Sequence, residues 1–385
     1  MPSSHKILIG LITLPVLIAA LVGGRILYFK ATAYPLHPDP SHMPTVTQSA
    51  VPQHWTAVVD RVRETVRASV ADQNLPGLSV AVGLGGEIVW AEGFGYADLD
   101  RKIAVKPDMR FRIAEVSMPI TSAGVGLLLQ RKKLNLDDEI QSYVPEFPKK
   151  PWPVTLRELM ADTAGVRNDH GDEEPLKPRC DRTVDALPRF AQDPLRFEPG
   201  TQYLNSTYGW ILVSAAVEAA SFDRFFKFMR TEVFGPLGMH DTVPDLSFSE
   251  DIPERATFYY PRFWDDTRFG PEPAREGDHS CMAGAAGFLS TPSDLVRFGA
   301  GMMNAKLLEP ATVALLQTPQ RLRSGKETSS GLGWETETVS LGGVPARMVG
   351  HGTRDYFIGG TASLMTFPER GIVVAVTSNT GSRLS

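Results

Sequence analysis

Residues 78–96 read LSVAVGLGGEIVWAEGFGY, and this stretch decides the type of fold that the chain can adopt. Its two halves, Leu78–Leu84 and Glu87–Tyr96, are rich in the β-branched and aromatic residues that strands favour. Gly85 and Gly86 separate them, and a glycine pair is a strong signal for the two-residue turn of a β-hairpin. The stretch therefore predicts two antiparallel strands.

Helices are predicted on both sides of this hairpin, and further strands near the end of the chain. Upstream, apolar residues recur at three- and four-residue spacing, as on one face of a helix: Trp55, Val58, Val59, Val62, Val66 and Val70. Segments 115–133, 156–161 and 208–220 also read as helices, whereas 331–341, 346–351, 361–367 and 372–378 read as strands. This order predicts an α+β fold, in which helices flank one antiparallel sheet and a helical subdomain is inserted at about residues 115–280.

The composition restricts the function classes. The 385 residues carry a net charge of -5 and no long run of Lys or Arg, which argues against a nucleic-acid partner because phosphate binding needs a positive surface. Cys180 and Cys281 lack the spacing of a zinc site, and no cofactor is predicted. The two cysteines can pair if the domain lies outside the cytoplasm, and two unpaired thiols are equally compatible with the sequence.

The N-terminus carries a membrane-targeting segment. Residues 7–24 are uncharged and mostly aliphatic, and a run of this length is about the minimum for a membrane-spanning helix. We interpret residues 1–33 as an anchor or signal segment, retained rather than cleaved, 34–53 as a proline-rich linker and 54–385 as the folded domain. Basic residues on both sides of the run leave its orientation open. The predicted location is membrane-anchored, with the domain on the extracytoplasmic (periplasmic or extracellular) side.

Short strings between residues 75 and 380 form a recognisable series. They are 75-LPGLSVAV-82, 93-GFGYADL-99, 111-FRIA-114, 134-LNLDD-138, 143-YVPEFP-148, 197-FEPGT-201, 286-AGFLST-291, 368-PERG-371 and 377-TSN-379. In this order they resemble the β-lactamase-related serine hydrolases, which include class C β-lactamases and penicillin-binding-protein-like enzymes. The most similar branch is that of the mitochondrial serine β-lactamase-like protein and its bacterial relatives. The resemblance implies a β-lactamase/transpeptidase-like fold.

In that family the reaction needs a Ser at the start of the long helix and a Lys three residues later, on the same helical face. After Phe111-Arg-Ile-Ala114 this chain instead has Glu115 at the Ser position and Met118 at the Lys position. A Met side chain can neither exchange a proton nor lower the pKa of a neighbour. Ser117 is the remaining hydroxyl in that turn, but it points about 200° away from Glu115 around a helix, and Ile120 follows it where a Lys is needed.

The other family motifs also differ. Tyr203-Leu-Asn205 matches the family's Tyr-x-Asn as text, but the spacing from Gly200 places Asn205 at the Tyr position and Thr207 at the Asn position. The strand motif that is Lys-Thr-Gly or His-x-Gly in the family reads His351-Gly352-Thr353. The resemblance thus implies that the catalytic positions hold Glu115, Met118 and Asn205, and that Tyr203, Thr207, His351, Gly352 and Thr353 are substrate-binding positions.

These replacements favour a pseudoenzyme without the Ser-x-x-Lys pair, with a binding or scaffold role at the membrane. Its expected ligand is a peptide, a peptidoglycan fragment or a β-lactam. The alternative is an active hydrolase of peptidase, esterase or β-lactamase type, in which Glu115 acts with His351 or Asp162 at a non-standard site. No metal is assigned, because a dense polar loop is more often solvated than metal-binding; this loop holds Asp169, His170, Asp172, Glu173 and Glu174. The oligomeric state is left open.

Overall fold

The computed structural model describes residues 19–48, 51–168, 179–246, 252–263, 266–274, 277–353 and 358–381. Its helices are α1 (19–32), α2 (Thr56–Asp72), α3 (Ser117–Gln130), α4 (Leu156–Met160), α5 (Thr207–Ser221), α6 (Phe225–Phe228), α7 (Gly235–Leu237), α8 (Ala283–Ala286), α9 (Pro292–Met303) and α10 (Pro310–Gln317). A π-helical stretch, Met229–Phe234, joins α6 to α7. The four helices predicted from the sequence are confirmed as α2, α3, α4 and α5.

The strands are β1 (Thr45–Thr47), β2 (Gly77–Leu84), β3 (Glu87–Asp98), β4 (Ile103–Ala104), β5 (Phe111–Arg112), β6 (Val243–Pro244), β7 (Tyr259–Pro261), β8 (Pro271–Pro273), β9 (Phe288–Ser290), β10 (Glu335–Leu341), β11 (Val344–Gly352), β12 (Thr361–Phe367) and β13 (Ile372–Ser378). The main sheet has the order β1-β3-β2-β13-β12-β11-β10, with every pair antiparallel, and β4 pairs with β3. Early and late strands therefore meet in one sheet, and the predicted α+β class is confirmed.

The hairpin that opens the domain is confirmed. Gly85 and Gly86 have φ values of 61° and 99°, a left-handed pair that glycine adopts without steric cost, and Leu84 pairs with Glu87 across the turn. The strand predicted at 331–341 begins later, at Glu335. The delay has a local cause, because Gly333 lies at φ 84° in a turn.

Helices cover both faces of the sheet. On β2, Leu78 and Val80 pack with Val59 and Val70 of α2, whereas Ala81 faces the larger core on the other side, where α9 packs. In that larger core α3 is central, since each residue from Ser117 to Leu128 is buried. A helix that is apolar on all sides belongs in the middle of a protein, so the start of α3 is held rigidly.

Part of the proline-rich segment 34–53 belongs to the sheet. Its β1 pairs with β3, with Thr45 opposite Phe94, and the buried His37 donates from Nε2 to the carbonyl of Leu75 at 3.0 Å. The composition predicted a linker and gave no signal for this pairing. None of the helices in the described ranges is long and apolar enough to cross a membrane. Most of the predicted anchor, 7–24, falls within residues 1–18, which lie outside those ranges.

Candidate functional site

The site is built around the start of α3. A 3-10 turn, Ala114–Val116, precedes the helix and contacts β11 and β12. Glu115 lies in this turn and is 3% exposed. Ala114 has φ 46°, a left-handed conformation that a residue with a Cβ rarely adopts and that is often found at functional sites. Glu115 therefore lies at the start of the central helix, as predicted, and the structure also places its turn beside the sheet.

The two residues that follow this turn at the start of α3 with side chains of interest, Ser117 and Met118, are both buried. Met118 is 0% exposed and packs in the apolar core. Ser117 is equally buried, and its Oγ has no hydrogen-bond partner among the described residues. Ser117 therefore lies inside the core, with no surface open to solvent.

The second group of predicted residues lies at the start of α5, which contacts α3. Ser206 caps α5 by accepting the Gly209 N–H at 2.9 Å, and it donates to the carbonyl of Arg167 at 2.9 Å. The Asp162 carboxylate accepts a hydrogen bond from the Ser206 N–H at 3.2 Å, and the backbone carbonyl of Asp162 accepts one from the Leu204 N–H at 2.8 Å. These bonds fix the backbone on both sides of Asn205.

Asn205 and its neighbours differ in burial. The Asn205 Nδ2 atom is buried and has no hydrogen-bond partner in the described part of the chain. Tyr203 is half-buried, and Thr207 is buried with its N–H donated to Asn168 Oδ1 at 2.9 Å. An amide nitrogen that is buried and unpaired is a donor that a bound ligand could satisfy.

The third predicted group ends β11. His351 is buried, and its Nδ1 lies 3.0 Å from the carbonyl oxygen of Gly352. Thr353 continues the pairing with β12, because its N–H donates to the Ala362 carbonyl at 2.9 Å and its Oγ1 accepts the Ala362 N–H at 2.8 Å. The Thr353 hydroxyl is thus committed to the sheet. Residues 354–357, which follow, are outside the described ranges.

Sequence reasoning missed a buried ionic cluster next to this site. Asp245 is fully buried and accepts hydrogen bonds from Arg112 Nε and Arg255 Nη2, both at 2.7 Å, while His279 Nδ1 lies 2.8 Å away. The Arg112 guanidinium also donates to the carbonyl of Ile358, in the segment that leads from β11 to β12. The cluster therefore connects β5, just before Glu115, to the loop beside His351. The signal for it was a lone Arg112 inside an apolar string.

Burial and the neighbouring charges determine the protonation states of Asp245 and His279. Burial alone would raise the pKa of Asp245, but Arg112, the nearby His279 and Arg255 outweigh it and hold that pKa well below its usual range. Burial, followed by the positive charge of Arg112, lowers the pKa of His279, against the opposing effect of Asp245. Near neutral pH the cluster thus holds a carboxylate, two guanidinium groups and a neutral imidazole.

Cys180 and Cys281 form a disulfide, with their Cα atoms 4.9 Å apart. It ties the chain just before the 3-10 segment Thr183–Arg189 to the turn that leads into α8, and the Cys180 N–H donates to Ser280 Oγ at 3.0 Å. The sequence had left the pairing open. The predicted polar loop of residues 169–174 is outside the described ranges, and among the described residues no group of three His, Cys, Asp or Glu is placed to hold a metal ion.

Comparisons with known proteins bear on the same site. The chain is 27% identical over 356 residues to the serine beta-lactamase-like protein LACTB, mitochondrial, of Bos taurus, with 69% of this chain and 63% of the relative covered. It is 29% identical over 265 residues to penicillin-binding protein 4* of Bacillus subtilis (strain 168), with 65% of this chain and 57% of the relative covered. The chain thus spans less than two thirds of the length of these relatives.

Solved structures share the fold. An octameric penicillin-binding protein homologue from Pyrococcus abyssi superimposes with a TM-score of 0.70 at 20% identity, covering 85% of this chain and 74% of that one. FmtA from Staphylococcus aureus gives a TM-score of 0.70 at 17% identity, covering 90% of each chain. The profile of the family described as Beta-lactamase matches residues 62–384, which include the turn with Glu115, the start of α5 and the end of β11. With this match and this fold, the chain belongs to the beta-lactamase family of serine hydrolases and penicillin-binding proteins.

Proposed function

We propose that this protein is a catalytically inactive member of the family, which uses the old active-site cleft to bind a ligand beside a membrane. The observation that carries the proposal is the turn at the start of α3. The family resemblance of the flanking strings assigns Glu115 to the nucleophile position, and Met118 and Ser117 are buried without exposed surface. Acyl transfer of the family type needs an activated hydroxyl and a group to take its proton, and this turn supplies neither.

The proposed ligand is a peptide, a peptidoglycan fragment or a β-lactam. Penicillin-binding protein 4* is named for binding penicillin, and we carry that ligand class to this chain as part of the proposal. The unpaired Asn205 amide, the half-buried Tyr203 and the end of β11 supply polar groups for an extended, amide-rich molecule. We propose an extracytoplasmic location for the domain, which the disulfide supports because such bonds persist in oxidising compartments.

The binding half of the proposal is tested by calorimetry with benzylpenicillin and with a muropeptide. We expect saturable heat with at least one of them and a weaker affinity for the His351→Ala variant. If neither ligand produces binding heat, the result contradicts a retained binding role.

The catalytic half is tested by intact-mass spectrometry after incubation with benzylpenicillin and with a fluorophosphonate. We expect no covalent adduct, and no turnover of nitrocefin or a p-nitrophenyl ester. A second candidate is an active hydrolase that uses Glu115, favoured because its turn contacts β11, the strand that carries His351. Turnover that is lost in both Glu115→Ala and His351→Ala would establish that second candidate and refute inactivity.

A further inference from the structure

Phe222 lies on the surface at the C-terminal end of α5, the end opposite to Thr207. It follows α5, it is 88% exposed, and its φ of 59° places it in the left-handed region. Glycine or asparagine normally ends a helix in this conformation, because a Cβ is strained there. An aromatic side chain at this position thus combines backbone strain with the exposure of a large apolar surface. Neither feature stabilises the folded monomer.

Basic side chains surround Phe222. We define the Phe222 patch as residues 131–133, at the end of α3, together with residues 222–232. These residues include six basic side chains and two acidic ones, although the whole chain has a net charge of -5. The Lys133 ammonium lies 5.8 Å from the centre of the Phe222 ring, which joins the two segments.

The acidic residues of the patch are already neutralised. Glu232 pairs with Arg131 at 2.5 Å, and Asp223 pairs with Lys227 at 2.9 Å. Lys132 and Lys133 are exposed and have no ion pair within the described part of the chain. A cleft of about 150 Å³ opens between the two segments and is lined by Arg131, Lys133 and Phe228, among others. The patch therefore presents uncompensated positive charge around a projecting aromatic ring.

We propose that the Phe222 patch docks on an anionic lipid bilayer, with Phe222 entering the interface and the basic residues facing lipid phosphates. Charge complementarity selects an anionic partner, because basic residues near a membrane attract acidic headgroups. The projection of Phe222 selects a bilayer rather than an acidic protein. A projecting ring can enter the headgroup region directly, whereas a protein partner would need a pocket of matching shape.

The experiment uses the full chain, labelled at one thiol with an environment-sensitive fluorophore. Both native cysteines are in the disulfide, so Phe222→Cys supplies a single reactive thiol. We expect a blue shift of the label with vesicles that contain phosphatidylglycerol and no shift with pure phosphatidylcholine. Val344→Cys, at the exposed first residue of β11, is the matched label site and should show no shift with either kind of vesicle. Equal shifts at both sites, or a shift that does not depend on lipid charge, would overturn the proposal.

Two further variants separate docking from a structural role. In the labelled protein, Lys132→Glu with Lys133→Glu should weaken the apparent affinity for phosphatidylglycerol vesicles by about 30-fold or more. Each basic residue near an anionic surface contributes roughly fivefold, and these substitutions also reverse the charge. The control Lys306→Glu with Lys326→Glu, at exposed positions elsewhere, should not. Phe222→Gly should raise Tm by removing the strain. A lower Tm would mean that the ring stabilises the monomer, which contradicts the proposal. Self-association of the protein in the absence of lipid would favour a second copy as the partner, and this result also contradicts the proposal.

Discussion

Replacing Asp245 by Asn should be among the most destabilising single changes in the domain. The side chain of Asp245 and that of Arg112 are 0% exposed, and that of Arg255 is 7% exposed. Asn keeps the shape of Asp but removes its charge, so two buried guanidinium groups would lose their counter-ion. Removing one partner of a buried ion pair typically costs about 3–5 kcal/mol, because the remaining charge is left unsolvated. We expect Asp245→Asn to lower the free energy of unfolding by that amount.

Urea denaturation with the disulfide intact measures this difference. The matched control is Asp137→Asn, since Asp137 pairs with Arg157 at the same 2.7 Å but with side-chain exposures of 67% and 33%. An exposed pair contributes about 0–1 kcal/mol, because water screens it. If Asp245→Asn costs no more than Asp137→Asn, burial does not set the energy of the cluster, and the reasoning fails.

Three further predictions concern other parts of the domain. The pKa of His279 is lowered below its ordinary value of 6.5, so as the pH falls the unfolded chain becomes protonated at this residue before the folded one does. The contribution of His279 to stability is therefore complete above pH 6.5 and is lost as the pH drops from 6.5 toward the lowered pKa. A His279→Gln variant should lose that slope in urea titrations between pH 7 and 5. Replacing Cys180 and Cys281 by Ser should cost about 4–5 kcal/mol in urea, because the bridge closes a loop with a sequence separation of 101 residues; unchanged stability would contradict this. Ser206→Ala should lower stability by about 1 kcal/mol through loss of the α5 cap, whereas Ser206→Thr should largely restore it, because the Thr hydroxyl can both accept the Gly209 N–H and donate to the Arg167 carbonyl.

The sheet and its helices could be predicted because their signals are local. The β2–β3 hairpin needs two glycines at left-handed φ, and both stand between strand-forming residues in the sequence. The role of β1 could not be predicted, since a three-residue edge strand among prolines has no periodicity to detect. Its pairing depends on the already formed β3, which is a tertiary effect.

Only those features of the candidate site that follow from neighbouring residues in the sequence could be predicted. The location of Glu115 at the start of α3 follows from the strings that flank it. The Asp245 cluster does not, because Arg112 and His279 come from segments more than a hundred residues apart and meet only after folding. The pairing of the cysteines was open for the same reason.

The framework residues and the catalytic positions differ in what they contribute to the fold. Asn379, from the string 377-TSN-379, is fully buried, and its Nδ2 is placed to donate to the carbonyls of Tyr96, Ala97 and Thr257, so its replacement would leave carbonyl groups unsatisfied. Met118 is in the opposite situation. A Lys at a position with no exposed surface carries a desolvation cost, which Met avoids while it fills the same space in the core. Active sites are often costly to stability, so under the proposed function Met118 would stabilise the domain relative to a Lys at that position. The residues that hold the sheet together are therefore not those that the family reaction needs, so loss of the reaction, as proposed, would leave the fold intact.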